Sequence, residues 1–398
     1  MDFGLSKEEE AFRQEIEQFM KGELPDGWIG AGIEEEFSEE IWPLTQVMAK
    51  KLAAKGWLTL SWPREYGGLE LSLMKQAIYS ELVGYYGFLG TRMGCGGVEY
   101  IGPVIMLYGS EEQKIEYLRQ IASAESWWCC GYSEPNAGSY IASLQCRAVR
   151  EGDGYVINGQ KIWTTAAHIA NLGFVAARTD PIAQRHRGIS LFIVDMKSPG
   201  VTLRPLENSA GLKLFNEVFF DNVYVPEKNR LGEENKGWYC LMSAFNIERA
   251  AGPGLKPCAQ CQRILDLLVS YVKEAQQNKY AIALDNSLVR HKLAETAVEI
   301  QAGRLFNYRV IYMMEKGMIA EQEASMSKLY SSELMQRVAN TGMQILELYG
   351  QLEKESPWVP LQGYLLSTYL MSIGFTIGGG TSEIQRNVIA TRGLGLPR

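Results

Sequence analysis

The chain contains no run of about 18 apolar residues, so no membrane-spanning helix is expected. Its first residues lack the basic-then-apolar pattern of a secretory leader. A basic excess is missing as well: the formal net charge is -7, which argues against nucleic acid as a partner. The one dense basic cluster, Arg185, His186 and Arg187, reads as a solvated surface loop. Histidine is scarce, and the three present (His168, His186 and His291) are scattered, so no metal site is expected. The seven cysteines are an odd number and do not form a disulfide framework, which fits a reducing, cytoplasmic setting. Cys258 and Cys261 make a lone C-x-x-C, read here as two thiols on one face of a helix. No fixed-period repeat and no low-complexity tract is present.

What remains is ordinary globular composition, 46% hydrophobic and 21% charged over 398 residues, long enough for two or three cores. Three regions differ in periodicity. Residues 1–125 read as helices: Ser6 followed by Glu9 is a capping box. Apolar residues from Ile41-Trp42 to Leu52 then follow helical spacing, and a loop rich in Pro and Gly covers Ser61 to Gly68. Residues 126–233 change to short strands rich in β-branched and aromatic residues. The segments are Tyr155–Gly159, Ile189–Val194, Val201–Leu203 and Val218–Phe220, with a turn at Glu151-Gly152-Asp153-Gly154. That pattern predicts an antiparallel barrel or sandwich. Residues 234–398 return to long helices, Ser287 to Met314 and Ile319 to Leu348, which predict a four-helix bundle. The fold class is therefore a multidomain α+β chain, helical, then β, then helical, an order that suits a cofactor lodged where domains meet.

Three motifs carry chemistry. Cys130-Gly131-Tyr132-Ser133-Glu134-Pro135-Asn136-Ala137-Gly138-Ser139 is a loop with free backbone donors and hydroxyls for the polar edge of a flat heterocycle. Gly159-Gln160-Lys161-Ile162-Trp163-Thr164-Thr165 places a tryptophan on a strand, followed by two hydroxyls; it can stack on a ring and bind its edge. Gly378-Gly379-Gly380-Thr381-Ser382-Glu383-Ile384-Gln385-Arg386 lets a backbone approach a ligand closely before a helix capped by Thr381 or Ser382. It is neither a Walker loop nor a dinucleotide fingerprint. Each motif alone also fits a plain structural role.

Taken in order, with Trp62-Pro63-Arg64-Glu65-Tyr66-Gly67-Gly68, Asn216-Glu217-Val218-Phe219-Phe220-Asp221 and Gly393-Leu394-Gly395-Leu396-Pro397-Arg398, these motifs resemble the acyl-CoA dehydrogenase family nearly end to end. The resemblance implies FAD as cofactor and an acyl-CoA thioester as substrate. It implies that Tyr132, Ser133 and their loop contact the flavin, that Trp163 covers one face, and that Thr164 and Thr165 lie at its edge. Ser139 is implied beside the pantetheine and ribityl groups, and Thr381 and Glu383 at the distal part of the cofactor. One loop departure is that Tyr140 replaces the usual Asp.

The implied reaction removes a proton from Cα and a hydride from Cβ, which needs a base and a polarised carbonyl. Many members carry the base at the position of Gly379, so this chain lacks it there; the Gly379 N–H remains as a donor to the thioester carbonyl. Other members carry a glutamate on a helix after the β domain. Phe245-Asn246-Ile247-Glu248-Arg249 matches that pattern, which assigns Glu248 as the base and Arg249 as the residue that positions it. Glu134 and Glu383 are weaker candidates. The substrate side is expected to involve Ser139, Asn246, Arg249 and Gly380. A second departure is that the family's arginine-containing pattern for a neighbouring chain's FAD diphosphate falls here on Gln276, Lys279, Tyr280 and Ser287. A later Gln-x-x-Gly-Gly pattern reads Gln344-Ile345-Leu346-Glu347-Leu348. An anionic diphosphate without its Arg is weakly held. The chain is therefore expected to be the base-bearing subunit of a heteromeric enzyme with a homologous partner, as in bacterial members that form heteromeric complexes, against a plain homo-oligomer. Three function classes follow: a dehydrogenase passing electrons to an electron-transfer flavoprotein, an acyl-CoA oxidase or flavin oxygenase, and a non-catalytic partner subunit.

Overall fold

The computed structural model describes residues 4–31, 35–250, 254–278 and 286–397, with the side chains of 246, 248–250 and 275–278 outside the description. In chain order the helices before the sheet are α1 (Lys7–Glu23), α2 (Trp42–Ala54), α3 (Leu73–Tyr86), α4 (Gly102–Tyr108) and the single turns α5 (Glu111–Gln113) and α6 (Arg119–Ala122). The strands are β1 (Trp128–Gly131), β2 (Arg147–Glu151), β3 (Gly154–Lys161), β4 (Leu172–Arg178), β5 (Ile189–Asp195), β6 (Val201–Leu206), β7 (Phe215–Pro226) and β8 (Arg230–Leu231). The helices α7 (Gly237–Ala250), α8 (Leu255–Asn278), α9 (Ser287–Glu315), α10 (Glu321–Leu346), α11 (Tyr364–Phe375) and α12 (Ser382–Val388) follow. The start of α1 is the capping box read from sequence. Ser6 Oγ accepts from the Glu9 amide, and the Glu9 carboxylate accepts from the Ser6 amide at 2.7 Å.

The chain forms two compact units, Met1–Ile33 with Leu71–Phe88 and Arg249–Arg398, and Glu34–Glu70 with Leu89–Glu248. The N-terminal helices are shared between them: α1 and α3 belong to the first, α2 and α4–α6 to the second.

The second unit is built on one eight-stranded sheet of order β6-β7-β3-β2-β4-β5-β8, with β1 added beside β4. Most pairings are antiparallel, and β2–β3 is the hairpin expected at Glu151–Gly154. Two are not: β1 and β2 both run parallel to β4. Tyr155, Ile157, Phe192, Val218 and Val223 fill the face of the sheet that makes the core. The Trp62–Gly68 segment closes against the helices beside it. Trp62 is buried, and its indole N–H donates to the Val98 carbonyl at 3.1 Å. A Cβ at Gly68 would lie 1.9 Å from the Trp62 carbonyl oxygen, so only glycine lets the segment fold back on that tryptophan.

In the first unit α8, α9 and α10 pack with α11 around Ile264, Leu268, Leu293, Ile300, Leu334 and Leu365. The two long helices fall where their periodicity placed them. Cys258 and Cys261 lie on α8, both buried, Cys258 Sγ 3.2 Å from Ser331 Oγ and Cys261 Sγ 3.8 Å from Met335 Sδ. Burial pushes the Cys258 thiol up to about 11. These are packing thiols, as the plain reading of the C-x-x-C held. Among the described residues no helix is long and apolar enough to cross a membrane.

Gly68→Ala is expected to lower the unfolding free energy by about 3 kcal/mol through overpacking against main chain. Denaturant titration checks it, and a loss near zero would show that the segment can move aside.

Candidate functional site

In the second unit the first two motifs are tied together by one buried ion pair. Lys161 closes β3 with its side chain pointing inward, fully buried, and its Nζ lies 2.8 Å from Glu134 Oε1. The same ammonium donates to the Tyr132 carbonyl at 3.1 Å. The Glu134 carboxylate also accepts from the amides of Gln145 (2.6 Å) and Cys146 (2.9 Å). With a cation and two amides on it, the buried Glu134 carboxylate is a structural anchor. The Ile162 amide donates to the Ser133 carbonyl at 3.0 Å, so Trp163 is held one residue beyond a hydrogen bond to Ser133.

Trp163 is not on a strand, as the sequence suggested. β3 ends at Lys161, and Trp163 sits in the bend that follows, at φ 59°. The left-handed region is unfavourable for a bulky residue, by about 1–2 kcal/mol, and here the neighbours over-determine it. The Thr164 amide and carbonyl both pair with the backbone of Asn216 at 3.1 Å, and the Asn216 side chain donates to the Thr164 carbonyl and meets His168 Nδ1 at 3.2 Å. His168 Nε2 lies 3.0 Å from the Phe37 carbonyl. The β pattern of the motif continued to residue 163, but pairing with Asn216 turned the chain instead. The result is an indole 62% exposed, edge-on to Phe215 at 6.3 Å. Exposure of a large aromatic and backbone strain thus coincide at Trp163.

Tyr132 is half-buried, its ring edge-on to Phe174 (6.1 Å) and Phe245 (5.9 Å). Thr165 is 9% exposed, whereas Thr164 is 1% exposed with its hydroxyl buried and without a hydrogen-bond partner. Ser139 and Tyr140 are exposed. With Tyr140 in place of Asp, the loop is anchored elsewhere: Arg178 donates to the carbonyls of Ala142 (2.9 Å) and Leu144 (3.1 Å), and the Ser143 hydroxyl donates to the Tyr140 carbonyl at 2.7 Å. Asn246, Glu248 and Arg249 fall on α7, as the helical reading of that segment expected, and their side chains lie outside the described residues. Gln276 is likewise on α8 with its side chain outside the description, and Lys279 and Tyr280 lie outside it altogether.

In the first unit Thr381 caps α12, its Oγ1 accepting from the Ile384 amide at 3.2 Å. It opens on a cleft of about 460 Å³ lined by Arg337, Thr376, Ser382, Glu383 and Arg386. The exposed Glu383 carboxyl is held below the ordinary carboxylate range by its own amide and then by Thr381. Ser382 Oγ and Gln385 Oε1 are buried without hydrogen-bond partners. Gly379 and Gly380 take φ 65° and 92°. In the second unit an exposed indole near the Thr165 hydroxyl suits a flat heterocycle, and in the first unit a cleft lined by Arg337, Arg386 and Thr381 suits an anionic group, so each set by itself fits a part of a flavin dinucleotide. Among the described residues no cluster of three or more His, Cys, Asp or Glu is placed to hold a metal ion.

Lys161 and Asn216 stand in the sequence motifs with no role assigned to them, and Arg178 stands in none of the motifs. The available signal was a lysine at an inward-facing strand position, where an unpaired charge is not tolerated.

Fold and site define a flavin-dependent oxidoreductase. Models of three acyl-CoA dehydrogenase domains match in order, the N-terminal domain over residues 6–125, the middle domain over 129–223 and the C-terminal domain over 235–394. The chain belongs to the acyl-CoA dehydrogenase family, FAD-dependent enzymes acting on CH–CH bonds. It is 33% identical over 354 residues to acyl-CoA dehydrogenase FadE26 of Mycobacterium tuberculosis, covering 87% of each chain. Among solved structures, the Tcur3481-Tcur3483 steroid ACAD superposes with a TM-score of 0.90 at 33% identity, over the full length of both chains. The ChsE4-ChsE5 complex from Mycobacterium tuberculosis superposes with a TM-score of 0.86 at 30% identity, again over both full lengths.

Glu134→Gln leaves the Lys161 ammonium buried without a counter-charge and is expected to cost about 3–5 kcal/mol of stability. The double variant Glu134→Gln/Lys161→Met is expected to recover part of it. Equal stability of single and double variants in urea titrations would contradict an uncompensated charge.

Proposed function

We propose that this chain dehydrogenates an acyl-CoA thioester between Cα and Cβ, as the base-bearing subunit of a heteromeric enzyme that hands its electrons to an electron-transfer flavoprotein. The observation that carries the flavin site is Trp163: an indole held exposed on strained backbone, one residue beyond a hydrogen bond to the Ser133 loop. In this reading Trp163 covers one face of the ring, Tyr132, Ser133 and Thr165 hold its edge, and Thr164 backs the bend. Ser139 lies by the pantetheine, and Thr381 and Glu383 hold the distal cofactor.

FAD, when bound, supplies the hydride acceptor. The chain's own residues do the rest. Glu248 removes the Cα proton, positioned by Arg249, with Asn246 and Gly380 on the substrate side. Position 248 is three residues beyond Phe245, whose ring meets Tyr132, and that spacing shares one face of a helix. Glu134 is engaged by Lys161 and two amides, which supports Glu248 over it. The Gly379 N–H polarises the thioester carbonyl, stabilising the enolate that forms as the proton leaves.

The heteromeric reading rests on the missing arginine at Gln276 and its neighbours. It is supported by two similar solved structures, each named as a pair of chains. Expressed alone, the chain is expected to hold less than one FAD and to show little turnover; full occupancy and full activity as a homo-oligomer would overturn this. Reoxidation of the substrate-reduced enzyme by air as fast as by an added acceptor would favour the oxidase class.

Two substitutions test the residues. Glu248→Gln is expected to lower turnover by about 10²–10⁴-fold with FAD content unchanged; full activity would exclude it as the base. Trp163→Gly is expected to keep or raise stability by about 1 kcal/mol, because φ 59° suits glycine, while FAD dissociates more readily. Unchanged FAD affinity would remove Trp163 from the site.

A further inference from the structure

The turn between α11 and α12 is pinned from several sides. The amides of Ile377 and Gly378 both donate to the Gly374 carbonyl at 3.0 Å, and the Ser382 amide donates to the Thr376 carbonyl at 2.9 Å. On the far side of the turn two side chains take its carbonyls. Lys328, from the first half of α10, donates through Nζ to the Gly380 carbonyl at 2.8 Å and the Phe375 carbonyl at 3.0 Å. Gln385 Nε2 donates to the Gly379 carbonyl at 3.1 Å and the Gly380 carbonyl at 3.3 Å. Between these restraints lies the Gly378–Gly379 peptide, and among the described residues no acceptor meets the Gly379 N–H.

Three consecutive glycines have the largest conformational freedom of any tripeptide, and the left-handed φ of Gly379 and Gly380 is one of many states open to them. A donor on such a segment is weak as a catalytic group, because ordering it consumes the interaction energy; an oxyanion donor works when its direction is fixed beforehand. Lys328 and Gln385 fix it. Gln385 holds the Gly379 and Gly380 carbonyls and Lys328 the Gly380 carbonyl, while the Gly378 amide is held on the Gly374 carbonyl; the Gly378–Gly379 peptide is thus restrained from both ends, and its N–H keeps one direction. The ammonium on the Gly380 carbonyl also polarises that peptide and the hydrogen-bonded units next to it.

We infer that Lys328, together with Gln385, is a positioning residue that presents the Gly379 N–H to the thioester carbonyl oxygen. This rests on the reading that Gly379 is the carbonyl donor. The role is one of positioning, since both side chains act on the carbonyls of the turn, and it explains how a chain with no carboxylate at position 379 keeps a competent donor there.

The test uses the FAD-loaded enzyme, with its partner subunit if one is required, and pivaloyl-CoA labelled with ¹³C at the thioester carbon. That ligand has no α-hydrogen and so reports polarisation without turnover. In the wild type the bound carbonyl stretch is expected to fall below its value in water. In Lys328→Met the fall is expected to shrink by about half, with ligand affinity and circular dichroism largely kept, and Lys328→Arg is expected to restore it. If Lys328→Met does not fold, Gln385→Leu, which leaves the lysine in place, carries the same expectation. An undiminished shift in the folded variants overturns the inference while leaving the Gly379 reading standing. A wild-type enzyme that binds the ligand with no shift overturns the Gly379 reading, and this inference with it.

Discussion

The Lys161–Glu134 ion pair is the constraint on which the Trp163 side of the second unit depends. It joins residues 27 apart in sequence, the end of β3 and the loop after β1, and it is almost wholly removed from water. Burying two charges is unfavourable unless their remaining hydrogen-bonding capacity is met. Here it is met by the Tyr132 carbonyl on one side and by the Gln145 and Cys146 amides on the other. The pair therefore fixes three backbone segments at once. Tyr132 and Ser133 are held because their loop cannot lift from Lys161, and Trp163 is held because the strand that ends two residues before it cannot slide.

A similar logic governs the bend. Left-handed backbone at a tryptophan persists only where surrounding bonds leave no better choice. The backbone pair between Thr164 and Asn216, extended through His168 to Phe37, supplies that restraint. Strain and exposure thus fall on the same residue, the one the family resemblance places against a flavin. In the first unit the glycine turn reaches a comparable rigidity by another route, with side chains of α10 and α12 taking its carbonyls.

Features governed by local physics were legible in the sequence. The Ser6–Glu9 capping box, the Glu151–Gly154 hairpin, the Thr381 cap and the two long helices depend on neighbours within a few residues, and each lies where its pattern placed it. The C-x-x-C was legible too, because both cysteines follow helical spacing. What the sequence hid were long-range pairings. β-propensity continued through Ile162 and Trp163, and only Asn216, far along the chain, shows that the strand must end. Lys161 reads as one more polar strand residue until Glu134 is brought beneath it. The parallel placement of β1 and β2 beside β4, and the sharing of the N-terminal helices between two units, likewise depend on partners no local pattern names. Glu248, the proposed base, is the reverse case: it stands out by a motif match on α7, and its side chain lies outside the described residues.

The central claim is that the surface organised by Lys161, Glu134 and Asn216 faces the flavin. A crystal structure of the FAD-loaded enzyme tests it most directly. The account predicts the isoalloxazine stacked beside the Trp163 indole, its edge within hydrogen-bond distance of Ser133 and Thr165. A ring bound elsewhere, with Trp163 still exposed to solvent, would contradict it.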